Sequence, residues 1–304
     1  MEFGASVWPF QWNPPYEDAI RRIARLGLHN VELIAWNGDV LREYYTPGRV
    51  SALRRLIQDE GLKHSEFVSS PPGAASADSA RRAAAVEHFK RAAETARELG
   101  ATIINSVVPT PFDLRFPPLR DRPMAQLVSV ELPSGLDWKA GYAYYVDTLR
   151  QLCAICAQHG LRYALETHPY RWATTAQSLL RLFEHVNSPL LGTNLDPSHL
   201  FPCGELPQIA VYDLGDRVFH THFSDNDGTT NAHWRPGKGK IDWAATLVAL
   251  HAVGYKGVIS IELEDVPGRA NRDHPTADPV FDDENLASRR YLADLAAELK
   301  LPLT

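Results

Sequence analysis

At 304 residues, 44% hydrophobic and 22% charged, the chain has the make-up of a globular protein large enough for one closed α/β core. A formal net charge of −6 with no long basic run argues against a nucleic-acid partner. No stretch reaches the roughly 18 apolar residues of a membrane span, so no membrane partner is expected. The start, MEFGASVWPFQW, has neither the basic nor the apolar region of a secretory signal, and a cytoplasmic location is expected.

In chain order, apolar segments alternate with helical patterns. Phe3–Trp8 reads as a strand, Tyr16–Leu26 as a helix ending at Gly27, and Asn30–Trp36 as a second strand. Pro47–Glu60 (helix), Lys63–Ser69 (strand), Ser79–Leu99 (helix) and Thr102–Val108 (strand) follow. A Pro-rich connection from Pro109 to Gly135 is then too long for a routine βα loop, and residues 109–137 are set apart as an insertion: a surface elaboration, a lid or a subunit contact. Alternation resumes with helices Trp138–Gln158, Thr175–Val186, Glu205–Leu214 and Trp243–Val253. Each precedes a strand: Arg162–Glu166, Leu191–Asp196, Val218–Phe223 and Gly257–Leu263. A last helix spans Glu284–Leu299. Eight strand–helix units in one chain of this length predict a single-domain (β/α)8 TIM barrel over residues 1–304 rather than a doubly wound sheet. Cys153 and Cys156 spell C-x-x-C, but inside the apolar helical pattern LRQLCAICAQHG, so they read as core residues rather than a redox or zinc pair.

The last four strands end in ligand-type residues: Glu166, Asp196, His222 and Glu262. In a barrel the C-terminal strand ends open on one face, so these would converge. Strand parity agrees, since Ile261 and Leu263 flank Glu262, and Leu165 and Thr167 flank Glu166. Oxygen donors with one imidazole suit one divalent ion, Mn2+ first, with Mg2+, Co2+ or Zn2+ also compatible. His220 shares the inward face one layer deeper and reads as a core residue, and Asp242 is placed to cap the helix at Trp243.

At these residues the chain resembles the sugar phosphate isomerase/epimerase superfamily, the xylose isomerase-like barrels. The resemblance covers most of the chain. It is carried by E-x-H (Glu166, His168), D-P-S-H (Asp196, His199), the His222–Asp225 strand end and P-G-x-G-x-I-D-W from Pro236 to Trp243. It implies a metal held by Glu166, Asp196, His222 and Glu262, an acid/base role for Glu166 and Glu262, and substrate contact by His199. The sequence departs from many relatives at Ser224, where a Lys is common, and in THPYRWATT, where His168 and Arg171 stand in place of a further Glu.

Isomerisation, epimerisation and β-elimination all begin by removing a proton beside a carbonyl, with the resulting enediolate stabilised by a divalent ion. For an isomerase or epimerase of a small sugar, Glu166 or Glu262 is the expected base. For a lyase or dehydratase acting on a 3-oxo-glycoside or inosose, which the E-x-H arrangement also resembles, the base is His168. Trp8 and Trp36, at the ends of the first two strands, are expected to form an aromatic wall against the sugar. His233 and Arg235 lie in the loop after the His222 strand, where Arg235 would take a phosphate or carboxylate. An apurinic endonuclease-like reading is disfavoured by strand ends FVSS and NSVV, which lack His, and by Asn231 where a D-x-H motif needs Asp. A non-catalytic sugar-binding subunit is the remaining alternative, and the chain is expected either as a homo-oligomer or beside a partner subunit.

Overall fold

The computed structural model describes residues 1–116, 123–124, 130–269 and 278–304. The strands are β1 (Glu2–Ser6), β2 (Asn30–Ile34), β3 (Lys63–Val68), β4 (Ile103–Val107), β5 (Arg162–Glu166), β6 (Leu191–Leu195), β7 (Val218–Phe223) and β8 (Val258–Ile261). All pair in parallel and in sequence order, and β8 returns to β1 to close the barrel. Around them run α1 (Glu17–Arg25), α2 (Gly38–Glu43), α3 (Pro47–Asp59), α4 (Ser79–Leu99), α5 (Trp138–His159), α6 (Ala176–Val186), α7 (Pro197–Leu200), α8 (Pro207–Leu214), α9 (Trp243–Ala252) and α10 (Pro279–Glu298). No helix among the described residues is long and apolar enough to cross a membrane.

The helix ends follow their local chemistry. Asp242 caps α9 as expected, its side chain accepting from the Ala245 amide, and α4 and α5 stop at Gly100 and Gly160 in the left-handed region. Cys153 and Cys156 are free, buried in α5, and burial pushes the Cys153 thiol up to about 11. The last helix starts earlier than the sequence pattern predicts. Pro279 is at its first turn, where a missing N–H costs nothing, and Asp278 caps it through the Phe281 amide. Two short helices were not anticipated. α2 is capped by Asn37, and α7 begins inside D-P-S-H, where Asp196 accepts from the Ser198 amide. Single turns of this kind carry too few residues to show periodicity.

The middle of the 109–137 connection, read from sequence as a surface elaboration, a lid or a subunit contact, lies outside the described residues. Its described parts reach the C-terminal face of the barrel. Phe116 stacks on Tyr170 in the loop after β5, with centroids 5.1 Å apart, and the Met124 amide donates to the Thr229 carbonyl after β7 at 2.6 Å.

Candidate active site and metal centre

β5, β6, β7 and β8 are consecutive around the barrel, and their ends bring Glu166, Asp196, His222 and Glu262 together. Each of the four offers a ligand atom within 4.8 Å of the others, and all four are buried. Glu262 lies one residue past β8 but keeps the line of the sheet, its amide donating to the Phe223 carbonyl. His222 Nδ1 is 2.8 Å from Glu166 Oε1 and 3.2 Å from Glu262 Oε2. Asp196 Oδ1 is engaged by the amide and hydroxyl of Ser198, while its buried Oδ2 has no hydrogen-bond partner.

Three carboxylates around one imidazole, out of water, are poorly balanced by the protein alone. Burial, with Glu262 and Glu166 nearby, pushes the Asp196 carboxyl up to about 7. Burial opposes charge on His222 too, but Glu262, Glu32 and Glu166 overrule it and raise the imidazole well above its usual value. At Glu166 burial is overruled by His222 and His168, and the carboxyl sits well below the usual range. The donor set, the convergence and the unpartnered Asp196 oxygen fit a divalent cation bound through oxygen and one nitrogen.

A cavity opens over these groups. One wall is Trp8, Trp12 and Trp36, and the other carries Glu166, His168, His199, His233 and Glu262, with Ser70 and Glu264 at its edges. Trp12 and Trp36 stack with centroids 4.4 Å apart, and Trp36 is edge-on to Trp8 at 6.2 Å. Trp8 donates through Nε1 to Glu262 Oε1 at 2.6 Å, tying the aromatic wall to a ligand-type carboxylate. Opposite, His168 lies against His199 with ring centroids 3.6 Å apart and holds Nε2 3.7 Å from Glu166 Oε2. Burial lowers the affinity of His168 for a proton, partly offset by Glu166, and lowers that of His199 further, with His168 and His233 adding to it. His199 Nδ1 is 2.9 Å from Asn231 Oδ1, which leaves Nε2 facing Asp196 at 3.4 Å. His233 Nε2 approaches the same Asp196 oxygen at 3.7 Å.

The structure thus brings together Glu166, Asp196, His222, Glu262, His168, His199, His233, Trp8 and Trp36. Arg235 is the exception. It does not line the cavity but pairs with Glu284 of α10 at 3.4 Å, beside Lys238. The loop is turned that way by Asp225, whose buried carboxylate accepts from the Gly237 and Ile241 amides and from Trp243 Nε1. Sequence reasoning missed Trp12 and Glu264, which sit on loops without strand register. It also missed Glu32, which the parity of NVELIAW does point into the barrel.

A family model described as xylose isomerase-like TIM barrel matches residues 20–281. The chain belongs to that family. Among curated relatives, the inosose isomerase of Bacillus subtilis (strain 168) is 30% identical over 126 residues, 39% of this chain and 45% of the relative. The fructoselysine 3-epimerase of Escherichia coli O157:H7 is 30% identical over 121 residues (38% and 44%), and a 3-dehydroshikimate dehydratase of Bacillus anthracis is 34% identical over 89 residues (29% and 32%). These matches span less than half the length of each relative. Among solved structures, D-psicose 3-epimerase from Clostridium cellulolyticum H10 superposes with a TM-score of 0.76 at 19% identity, covering 97% of this chain and 99% of its own. The 3-keto-D-glucoside 4-epimerase of E. coli gives 0.73 at 19% identity with the same coverage. At that identity the likeness is one of fold.

Proposed function

We propose that this protein is a divalent-metal-dependent isomerase or epimerase of a small, unphosphorylated sugar or sugar-derived carbonyl compound. The observation that carries this is the cavity itself: an aromatic wall faces carboxylates and imidazoles grouped around a cation-type donor set. Relatives named as a fructoselysine 3-epimerase, an inosose isomerase and a 3-dehydroshikimate dehydratase support this reading, since proton removal beside a carbonyl is a first step open to all three kinds of reaction.

Glu166, Asp196, His222 and Glu262 would hold the ion. It would supply Lewis-acid stabilisation of the charge that develops on the substrate carbonyl oxygen. The protein's own residues do the rest. The rings of Trp12 and Trp36 present a flat surface for the C–H face of a sugar, and Glu264 lines the same cavity. Glu166 at the end of β5 and Glu262 beyond β8 both line the cavity, and in this reading one takes a proton and the other returns it. The Trp8 indole fixes Glu262 by donating to one oxygen. No Lys or Arg is among the described residues lining the cavity, so a phosphate has no guanidinium or ammonium partner there. The described lining therefore suits an uncharged ketose or other sugar carbonyl compound, and Arg235 is not assigned to it.

A second reading rests on His168. Its side chain is 25% exposed, lines the cavity and is held neutral by burial, which suits a base for β-elimination. A screen of ketoses, inososes and 3-oxo-glycosides with added Mn2+ in D2O separates the readings. Deuterium at a carbon of a rearranged or epimerised product supports the first. An unsaturated product whose formation is abolished in His168→Ala replaces it with the second. No turnover of any of them, at any divalent ion, would leave the non-catalytic sugar-binding subunit.

A further inference from the structure

We infer that Glu32 is a positioning residue of the metal centre, fixing which nitrogen of His222 faces the ion. The inference rests on the metal-centre reading above.

Glu32 comes from β2, on the side of the barrel away from β5 and β6, and its side chain is wholly buried. TIM-barrel interiors are filled mainly by branched apolar side chains, so a carboxylate there is costly unless something holds it. Three groups do. Glu32 Oε2 accepts from His222 Nε2 at 2.7 Å and from the Ser6 hydroxyl at 3.2 Å, and Oε1 accepts from the Ser260 hydroxyl. The register explains the meeting, since Ser6 is opposite Glu32 and His222 is opposite Ser260.

A carboxylate acceptor at Nε2 keeps a proton on that nitrogen. The lone pair of neutral His222 is then on Nδ1, the atom 2.8 Å from Glu166 and 3.2 Å from Glu262, where the other three ligands converge. Trp8 packs edge-on to the same ring, with centroids 5.6 Å apart, so the imidazole is held by a contact as well as a hydrogen bond. Ligand histidines are commonly oriented by such a partner, and its loss typically weakens metal binding about 10- to 100-fold. Glu66 supplies an internal comparison. It is equally buried and 3.8 Å from His222 Nε2, yet neither of its oxygens has a hydrogen-bond partner.

The test is the affinity of metal-free protein for Co2+ alone, by calorimetry or chelator competition, together with the visible absorption of the Co2+ form. In Glu32→Gln the dissociation constant should rise about 10- to 100-fold and the Co2+ spectrum should shift. Glu32→Asp, too short to reach Nε2, should behave similarly, while Glu66→Gln should stay within about threefold of wild type. A purely structural Glu32 would lower the unfolding temperature and leave Co2+ affinity and spectrum unchanged, which overturns the inference. If Glu32→Gln does not fold, the Ser6→Ala/Ser260→Ala double variant, which strips two donors from the carboxylate, must weaken Co2+ binding at least about threefold; an unchanged constant overturns it. Wild-type protein that takes up no Co2+, or a His222→Ala variant that binds it as wild type does, removes the metal-centre reading and this inference with it.

Discussion

Removing the Asp225 carboxylate tests how the loop after β7 is held over the site. Asp225 is fully buried and accepts three hydrogen bonds: from Gly237 N at 2.9 Å, Ile241 N at 3.2 Å and Trp243 Nε1 at 2.9 Å. Its own backbone pairs with Trp234 in both directions, so the carboxylate sits at the closure of a loop that carries Asn231 and His233. Asp225→Ala leaves three donors without an acceptor. An unsatisfied buried donor costs about 1–3 kcal/mol, and for three such donors with partial relaxation the expected loss is roughly 3–6 kcal/mol. Asp225→Asn should recover only part of it, because in either amide orientation the NH2 group faces at least one of the same donors. Urea unfolding followed by circular dichroism measures the loss. Hydrogen exchange at Gly237 and Ile241 should accelerate even under native conditions. A loss below about 1 kcal/mol in Asp225→Ala would refute the view that this carboxylate clamps the loop.

Other outcomes are expected from the same structure. Gly239→Ala would drive a Cβ into the Asn226 carbonyl and the Asp225 carboxylate, and overpacking of this kind should cost about 1–3 kcal/mol in the same unfolding assay. Trp12→Ala, which removes one face of the stacked pair, should raise KM for the substrate about tenfold with a smaller change in kcat, corresponding to about 1.4 kcal/mol. For pH, the Asp196 carboxyl in the metal-free protein is raised to about 7, so below that pH it holds a proton that a cation must displace. Metal affinity should therefore fall on acidification below pH 7, by roughly tenfold per unit for one displaced proton. Affinity independent of pH between 5.5 and 7 would contradict it.

The barrel was legible because its signal is redundant: eight short apolar segments, each followed by a helical pattern, leave few topologies, and an error of one or two residues at an end changes nothing. The convergence of Glu166, Asp196, His222 and Glu262 was legible because a strand alternates faces, so Glu166 and Glu262 between outward-facing neighbours point inward. Side chains placed by loops were less so. Trp12 reaches the cavity through the turn after β1, and no periodicity announces it. Arg235 shows the opposite error. Its position after a ligand strand suggested an anion site, but direction in a loop depends on distant anchors, and Asp225 and Glu284 take the segment toward α10. Glu32 was readable by parity and passed over, because a single Glu in β2 has meaning only once His222 is seen across the barrel.

In the proposed reaction Glu166 and Glu262 move a proton at a carbon beside a carbonyl, where it can exchange with solvent. Mass spectrometry of product formed in D2O by the Mn2+-supplemented protein, alongside Glu166→Gln and Glu262→Gln, tests it most directly. Wild-type protein should incorporate one deuterium per turnover at the reacting carbon, and each variant should lose that incorporation. Product formed without deuterium by an enzyme open to solvent, or incorporation undiminished in both variants, would contradict the account.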